Sequence, residues 1–219
     1  MHNVTVAFAA LLVMLLSYFF GCFNGSFMVS HFIIRDDVRK HGSGNAGLTN
    51  FYRTYGAKYA LLVIACDMGK TVAACLLGSF FFRCLGWDGT LGTLLAGLGC
   101  ELGHIFPVFY GFRGGKGILS GGTLVLLLNW RVAAVAWALF LLLWLTTRYV
   151  SLASITATCS APITVYFVYA HNPIYTGLCL AVAALALWCH RKNIQRLLHG
   201  TEKKFKWHVN PMEGKDPPQ

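Results

Sequence analysis

The sequence predicts an all-α integral membrane protein, a helical bundle that crosses the bilayer about seven times. Three observations lead to this fold class. Hydrophobic residues make up 56% of the 219 residues and charged residues only 12%, about half of what a soluble domain carries. The apolar residues form stretches of helical length, and the basic residues lie between alternate stretches. Most of the chain is therefore expected to face lipid or the bundle interior.

Seven apolar stretches are the predicted spans, since a helix needs about 20 residues to cross roughly 30 Å of hydrocarbon. They run from about Val4 to Phe27, Tyr59 to Phe82, Thr90 to Phe112, Ile118 to Asn129, Val132 to Leu145, Ser151 to Tyr169 and Ile174 to Cys189. The fourth is too short for an ordinary span, so we expect a partial or tilted helix there. The first lacks the basic start and cleavage site of a signal peptide, so we expect it to be retained.

The Lys and Arg residues predict the orientation. If the N-terminus lies outside and seven spans alternate, only Lys70, Arg83 and Arg131 of the 18 Lys and Arg avoid the cytoplasmic segments. This bias follows the positive-inside rule, which explains the net charge of +10 without nucleic acid as a partner. Residues 1–207 are expected to form a single transmembrane domain with its site on the cytoplasmic face. The polar, Pro-containing residues 208–219 are expected to be a disordered tail.

The first unusual connector runs from His41 to Arg53. Its glycines allow backbone N–H groups to turn toward one point, as in an anion-binding nest, and Arg53 adds a charged fork suited to phosphate. The spacing also matches a dinucleotide-binding fingerprint, but that motif needs a strand and a βαβ unit around it, so we reject that interpretation. A flexible loop is the alternative. The polar and glycine positions are Gly42, Ser43, Gly44, Asn45, Gly47, Thr49 and Asn50.

The second connector contains Arg113 and Lys116 among four glycines. A glycine-rich backbone permits close approach to an anion, with Lys as a point charge. The segment is not a Walker A loop, because no Ser or Thr follows Lys116. Positive-inside topology alone would explain the charges but not the glycines, which are Gly111, Gly114, Gly115 and Gly117.

Two further segments carry polar residues at helix ends. After the seventh span, helical spacing puts His190, Asn193 and Leu197 on one face, although a basic helix lying on anionic lipid is the alternative there. At the start of the sixth span, Ser151 and Ser154 are one turn apart, where free N–H groups favour anions. Capping alone would explain one of these serines.

Charged residues inside the spans occur three apart. Asp67 and Lys70 can pair in the second span, and Glu101 and His104 are spaced likewise in the third. Such residues are functional candidates, and structural pairs are an equal alternative. Metal-assisted chemistry usually needs several carboxylates around the ion, and the chain has only eight Asp and Glu. We therefore expect neither a metal nor another cofactor.

The alternating topology brings all of these segments to one face of the membrane. Glycine-rich backbone, hydroxyls, Lys and Arg together favour a site that handles phosphate, with an amphiphile and a soluble phosphate compound as substrates. A small transporter for anionic metabolites would also need basic loops and intramembrane charges. Its sites, however, are expected near the bilayer midplane on broken helices.

Four motifs, in order, resemble those of the bacterial acyl-phosphate:glycerol-3-phosphate acyltransferases, the PlsY family. The resemblance covers nearly the whole chain. Two departures concern Ser120, where the family often has Thr after Val-Ala, and Thr71, where it often has Gly after Asp-x-x-Lys. The matching motifs are Gly42-Ser-Gly-Asn-Ala-Gly-Leu-Thr-Asn50 with Arg53, His104-Ile-Phe-Pro with Arg113-Gly-Gly-Lys-Gly117, Thr147-Arg-Tyr-Val-Ser-Leu-Ala-Ser154, and His190-Arg-Lys-Asn-Ile-x-Arg-Leu with Gly200 and Glu202.

The resemblance implies a seven-helix enzyme of the bacterial inner membrane. Such enzymes move an acyl group from acyl phosphate to the sn-1 hydroxyl of glycerol 3-phosphate, and acyl-CoA and acyl carrier protein do not replace that donor. The expected partners are these two substrates and membrane lipid, while the oligomeric state is left open between a monomer and an assembly. By motif match, the expected catalytic residues are Lys116, Arg53, Ser43, His190, Asn193 and Ser154. The expected substrate-binding residues are Gly42, Gly44, Asn45, Gly47, Thr49, Asn50, His104, Arg113, Gly114, Gly115, Gly117, Ser120 and Ser151.

Overall fold

The described part of the chain, residues 2–207 of a computed structural model, contains helices and connecting turns but no β-strand. The all-α class is therefore confirmed. The predicted disordered tail, 208–219, lies outside the described residues. The α-helices are α1 (His2–Cys22), α2 (Gly25–Met28), α3 (Leu48–Tyr55), α4 (Ala60–Cys84), α5 (Gly89–Ile105), α6 (Ile118–Leu128), α7 (Trp130–Thr147), α8 (Val150–Val168), α9 (Pro173–Cys189) and α10 (Arg191–Leu198).

All seven predicted stretches contain a helix, but they differ in their ability to cross a bilayer. Within residues 2–207, five segments have the length and hydropathy of a span, and α9 makes a sixth when it is joined to α10 across a 60° bend. Helix α6 has 11 residues, which reach only about 16 Å at 1.5 Å per residue. The predicted count of seven is therefore approximate, and the fourth stretch is a partial helix.

Helix α5 lies at the centre of the bundle, with α1, α4, α6 and α9 packed around it. Nearly all of its residues are buried. Its glycines let α1 approach closely: a Cβ on Gly99 would lie 2.3 Å from the Met14 carbonyl oxygen, and one on Gly103 would lie 2.0 Å from that of Tyr18. Small residues of this kind allow membrane helices to pack backbone against backbone. Helices α7, α8 and α9 pack around a second apolar cluster.

We expect Gly103→Ala to destabilise the protein by about 1–3 kcal/mol, because the new methyl group must push α1 away from α5. Thermal unfolding of the purified protein in detergent measures this loss. Gly69→Ala is the matched control, since nothing lies within 4 Å of a Cβ at Gly69 in α4 and Ala is favoured over Gly inside a helix. Equal unfolding temperatures for the two variants would contradict the close α1–α5 contact.

The first span is broken after Cys22. Asn24 begins α2 by accepting a hydrogen bond from Phe27 N at 2.9 Å, and its amide nitrogen donates to the Ala46 carbonyl at 3.0 Å. A π-helical turn, Val29–Ile34, follows α2 and leads into the first connector. The break leaves backbone groups without partners in their own helix, and these require partners from elsewhere because water is absent from the bilayer core.

Lys70 and Asp67 of α4 supply those partners. The Lys70 ammonium donates to the Gly21 carbonyl at 3.1 Å and to the Phe23 carbonyl at 3.0 Å. The Asp67 carboxylate accepts from Gly25 N at 3.0 Å and pairs with Lys70 at 2.8 Å. The predicted Asp67–Lys70 pair is thus present, and it fastens the broken first span to α4.

His104 joins this pair, whereas Glu101 does not. His104 Nδ1 lies 2.8 Å from the Lys70 ammonium nitrogen and 3.6 Å from Asp67 Oδ1. The carboxylate of Glu101 lies instead against the start of α6, beside Gly117 and Gly121. His104 and Glu101, three residues apart in α5, therefore contact different parts of the structure: His104 contacts α4, and Glu101 contacts the start of α6.

Candidate functional site

Motif residues from three parts of the chain meet at the buried carboxylate of Glu202. Its Oε1 accepts from Ser151 Oγ at 2.8 Å and from Asn193 Nδ2 at 2.7 Å, and its Oε2 accepts from Arg196 Nε at 2.6 Å. The Lys116 ammonium donates to Asn193 Oδ1. We refer to these five residues as the Lys116 network. It joins the second connector, the start of α8, α10 and the segment after α10.

Positive charge exceeds negative charge around this network. Three cations, Lys116, Arg196 and Arg53, lie near the single carboxylate of Glu202. Burial lowers the pKa of the Lys116 ammonium to about 8; Glu202 opposes this shift, while Arg196 and Arg53 reinforce it. Cations that are crowded together and partly desolvated bind an anion strongly, because the anion offsets their mutual repulsion.

Glu202 is held in its ionised form. Burial would raise its pKa, but hydrogen bonds from Asn193, Ser151 and Arg196 outweigh burial, so the pKa of Glu202 lies below its ordinary value. The carboxylate thus fixes the side chains of Asn193 and Ser151 and neutralises one of the three cations.

His190 and Ser154 are buried at the neighbouring helix ends. His190 lies at the bend between α9 and α10, and its Nδ1 is 2.8 Å from the Ala186 carbonyl oxygen. Because a carbonyl oxygen only accepts, Nδ1 carries the hydrogen and Nε2 is left as the acceptor. The ring is therefore in the tautomer that a general base requires.

The first connector is held by Asn50. Its amide nitrogen donates to the carbonyls of Val38 and His41, both at 3.1 Å, and its Oδ1 accepts from Ser43 N at 2.9 Å. Gly42 is required here, because it has φ +57° and a Cβ would lie 2.5 Å from Asn50 Oδ1. The loop is therefore fixed by a buried side chain, and the Ser43 side chain is exposed on its outer surface.

The two glycine-containing connectors dock on each other. Asn45 Nδ2 donates to the Gly114 carbonyl at 3.2 Å, and Ala46 N donates to the same oxygen at 3.3 Å. Gly47 caps the start of α3, Thr49 follows in its first turn, and Gly44 has a positive φ of 68°. Because the two connectors are in contact, Arg53 on α3 lies near Lys116 of the second connector.

The glycines of the second connector are required mainly by α5 beneath them. A Cβ on Gly115 would lie 2.0 Å from His104 Nε2, and one on Gly117 would lie 1.8 Å from Glu101 Oε2. Gly114 similarly lies against the His104 carbonyl. Ser120 is buried in the first turn of α6. His104 therefore supports the loop that carries Lys116.

Residues 200–207, the C-terminal strap, cover the site from the outside. Arg53 Nη2 donates to the Lys203 carbonyl at 3.1 Å, and Phe205 N donates to the Arg148 carbonyl at 2.8 Å. The ring of Phe205 stacks on Tyr52 of α3, with centroids 5.2 Å apart, and meets Trp144 of α7 at 5.3 Å. The strap therefore connects Glu202, which it carries, to α3, which carries Arg53.

The structure brings Arg53, Lys116, Ser151, Asn193 and His190 to one end of the bundle, as the motifs predict. It adds Glu202 and Arg196, to which the sequence reasoning gave no role; their presence in the fourth motif was the available signal. Arg113 is exposed and lines a separate cavity with Tyr110 and Gly111. Within residues 2–207, no group of three or more His, Cys, Asp or Glu side chains is arranged to hold a metal ion.

Known proteins with similar sequences share one description. A family model described as glycerol-3-phosphate acyltransferase matches residues 11–200. A glycerol-3-phosphate acyltransferase of Finegoldia magna is 39% identical over 189 residues, which cover 86% of this chain and 92% of the relative. One of Thermoanaerobacter pseudethanolicus is 36% identical over 196 residues, with coverage of 90% and 96%.

Two solved structures resemble this chain over most of its length. A crystal structure of PlsY (YgiH), an integral membrane glycerol 3-phosphate acyltransferase, in its glycerol 3-phosphate form has a TM-score of 0.79 and 36% identity, covering 90% of this chain and 96% of that one. The lysophosphatidic acid form has a TM-score of 0.77 and 34% identity, with coverage of 90% and 95%.

Proposed function

The chain belongs to the glycerol-3-phosphate acyltransferase family, and from this membership we propose its detailed reaction. It moves a fatty acyl group from acyl phosphate to the sn-1 hydroxyl of glycerol 3-phosphate, giving lysophosphatidic acid and inorganic phosphate, the first step of phospholipid synthesis. Solved relatives in glycerol 3-phosphate and lysophosphatidic acid forms support the acceptor and the product. The acyl phosphate donor is inferred from the motifs and from the chemistry of the site.

The observation that carries this proposal is the excess of positive charge in the Lys116 network. Lys116, Arg53 and Arg196 lie near one carboxylate, Glu202, and Asn193 links Lys116 to it. A phosphate monoester carries a charge of about −1.5 to −2 at pH 7, which matches the two uncompensated cations. Glycerol 3-phosphate and lysophosphatidic acid are such monoesters, and acyl phosphate and inorganic phosphate also carry an anionic phosphate group.

The chemical step is an acyl transfer. The sn-1 hydroxyl oxygen attacks the carbonyl carbon of acyl phosphate, an ester C–O bond forms, and the bond from that carbon to the phosphate oxygen breaks. The phosphate leaves with the electron pair. Lys116 and Arg53 bind phosphate oxygens of both substrates, so catalysis comes from orientation of the acceptor and from stabilising charge on the leaving group. Acyl phosphate is already activated, so we propose no covalent acyl-enzyme.

The hydroxyl proton has two candidate acceptors. His190 is in the required tautomer, with Nε2 as the free acceptor. A phosphate oxygen of the substrate is the second candidate. A His190→Gln variant distinguishes them: near-normal turnover at pH 7 assigns the proton to the substrate, whereas a large loss of turnover assigns it to His190.

The remaining motif residues divide into contact and support roles. Ser43, Ser151, Ser154 and Asn193 are proposed to contact substrate, because their hydroxyl or amide groups lie on the segments that meet at the site. Asn50, Asn45, His104, Ser120 and the glycines at 42, 44, 47, 114, 115 and 117 are proposed to hold the two connectors in shape.

The protein is a multi-pass membrane protein. We propose the bacterial inner membrane, with the N-terminus outside and the Lys116 network cytoplasmic, on the basis of the basic residues in alternate connectors. The transporter alternative is less well supported, because Asp67, Lys70 and His104 are engaged with each other and with the broken first span.

The decisive experiment supplies purified protein in lipid with acyl phosphate and glycerol 3-phosphate, without added metal. Inorganic phosphate and lysophosphatidic acid are measured together. Equal amounts of both, with none when acyl-CoA replaces acyl phosphate, establish the reaction and the donor. Product from acyl-CoA would overturn the donor assignment, and absence of product from either donor would overturn the proposed reaction.

The pKa of Lys116 predicts a pH dependence for acceptor binding. Its ammonium loses its proton as pH rises through about 8, while substrate phosphate remains dianionic above pH 7. The neighbouring charged groups are Arg53, Arg196 and Glu202, and Cys189 also lies close. The dissociation constant of glycerol 3-phosphate should therefore rise by up to about tenfold per pH unit above 8.

Calorimetric titration of glycerol 3-phosphate between pH 7 and 9.5, without donor, measures this effect. Lys116→Arg is the control, because a guanidinium keeps its charge throughout this range and its affinity should stay flat. A flat wild-type profile would show that Lys116 does not supply the titrating charge.

A further inference from the structure

A second basic cavity lies at the same end of the bundle as the Lys116 network but shares no residue with it. Its volume is about 460 Å³, a size typical of small-ligand sites. The resemblance gave only one of its lining residues, Arg113, a substrate-binding role. The cavity is lined by Asp37, Arg39, Lys40, Tyr110, Gly111 and Arg113.

Arg39 is fixed in the wall of this cavity. Its Nε and Nη2 donate to the Asp37 carboxylate at 3.0 and 2.9 Å, and its Nη1 donates to the Tyr110 carbonyl at 2.7 Å. The guanidinium lies 4.4 Å above the centre of the Phe27 ring. A guanidinium has five N–H groups, so two of them remain for an anion after these three bonds.

The cavity carries more positive than negative charge. Arg39 neutralises Asp37, and the side chains of Lys40 and Arg113 are exposed at its edge. An Arg fork held by three hydrogen bonds, with two exposed cations beside it, is suited to a phosphate group, which accepts hydrogen bonds from several directions.

An exposed aromatic surface begins at the cavity and continues along α1. Phe109 and Phe112 lie on either side of Tyr110 and Gly111 in the chain and are 59% and 58% exposed. The Phe109 ring lies 6.3 Å from that of Phe19 and 6.4 Å from that of Phe23, both exposed on the first span. Exposed Phe side chains on a membrane protein are favourably placed against the acyl chains of the surrounding lipid.

We propose that this cavity binds the phosphate headgroup of a membrane lipid whose acyl tail lies against Phe19, Phe23 and Phe109. A soluble phosphate compound would use the cations alone, whereas a lipid uses both the cations and the aromatic surface. The occupant is therefore a lipid of the leaflet that borders the Lys116 end of the bundle. This inference does not depend on the reaction proposed for the Lys116 network.

The test uses the full chain in phosphatidylcholine nanodiscs that contain increasing dioleoyl phosphatidic acid, with retained lipid counted by native mass spectrometry. The variant Lys40→Gln/Arg113→Gln should bind phosphatidic acid at least about tenfold more weakly than wild type. Lys58→Gln/Lys204→Gln is the matched control, since it removes two exposed cations of the same sign outside the cavity and should retain wild-type affinity.

Two outcomes with the double variants would overturn the proposal. One is equal loss of phosphatidic acid in both double variants, which would mean a diffuse attraction to basic surface. The other is equal retention in wild type and Lys40→Gln/Arg113→Gln. Inorganic phosphate and glycerol 3-phosphate are the soluble arms, and displacement of the lipid by either at its own binding concentration would assign the site to free phosphate. Phe109→Ser, with the cations intact, should also weaken retention.

Discussion

Lys116→Ala is expected to lower kcat for glycerol 3-phosphate acylation by about 10²–10³-fold, the typical cost of losing one group that stabilises developing charge. Lys116 is the cation that Asn193 connects to Glu202, Ser151 and Arg196, so it is held in place before substrate arrives. Lys116→Arg should recover part of the rate, because it restores the charge with a different shape.

Stability should move in the opposite direction from activity. Burial lowers the pKa of Lys116, which means that burying its ammonium costs free energy on folding, although the group is still mostly protonated at pH 7. Lys116→Ala should therefore unfold at the same temperature as wild type or a higher one, and a lost rate cannot then be attributed to misfolding. Wild-type turnover in Lys116→Ala would remove Lys116 from the mechanism. Lys58→Ala, which changes an exposed residue between α3 and α4, is the activity control.

Lys70→Met is expected to destabilise the protein by about 3–5 kcal/mol, the usual cost of removing one partner of a buried ion pair. The substitution leaves the Asp67 carboxylate without its cation and the carbonyls of Gly21 and Phe23 without a donor. Unfolding in detergent micelles, followed by circular dichroism, measures the change.

A second substitution, Asp67→Asn, distinguishes the effect of the unpaired charge in Lys70→Met from the effect of lost packing. Asp67→Asn keeps an oxygen that can accept from Gly25 N while removing the negative charge. The double variant Asp67→Asn/Lys70→Met should be more stable than Lys70→Met alone, because no uncompensated charge is left. Simple addition of the two single effects would contradict the coupling.

Hydropathy and spacing were sufficient to predict the helices and one ion pair. Each of the seven apolar stretches contains a helix, and Asp67 pairs with Lys70 as their spacing of three indicates. The break after Cys22 was not predicted, because an average over an apolar window hides Asn24 and Gly25. Their presence inside such a run was the available signal.

The site was predictable in its motifs but not in its contacts. The four motifs predict that Lys116, Asn193 and Ser151 share one end of the bundle, and their side chains belong to one network. Glu202 was given no role there, although it belongs to the fourth motif, because a phosphate site is expected to contain cations and hydroxyls. A glycine is required at position 117 because Glu101 of α5 packs against it. A contact between residues so far apart in the chain cannot be predicted from the sequence around Gly117.

The hydrogen bonds that Lys70 and Asp67 of α4 make with the broken first span constrain the order of membrane insertion. The first span leaves the ribosome before Lys70, which follows Phe23 by 47 residues. Until α4 enters the bilayer, the carbonyls of Gly21 and Phe23 must be solvated by headgroups or by the insertion machinery, since lipid tails offer no donor. The first span therefore reaches its final depth and bend only when α4 arrives, so biogenesis of this protein is cooperative between these two segments.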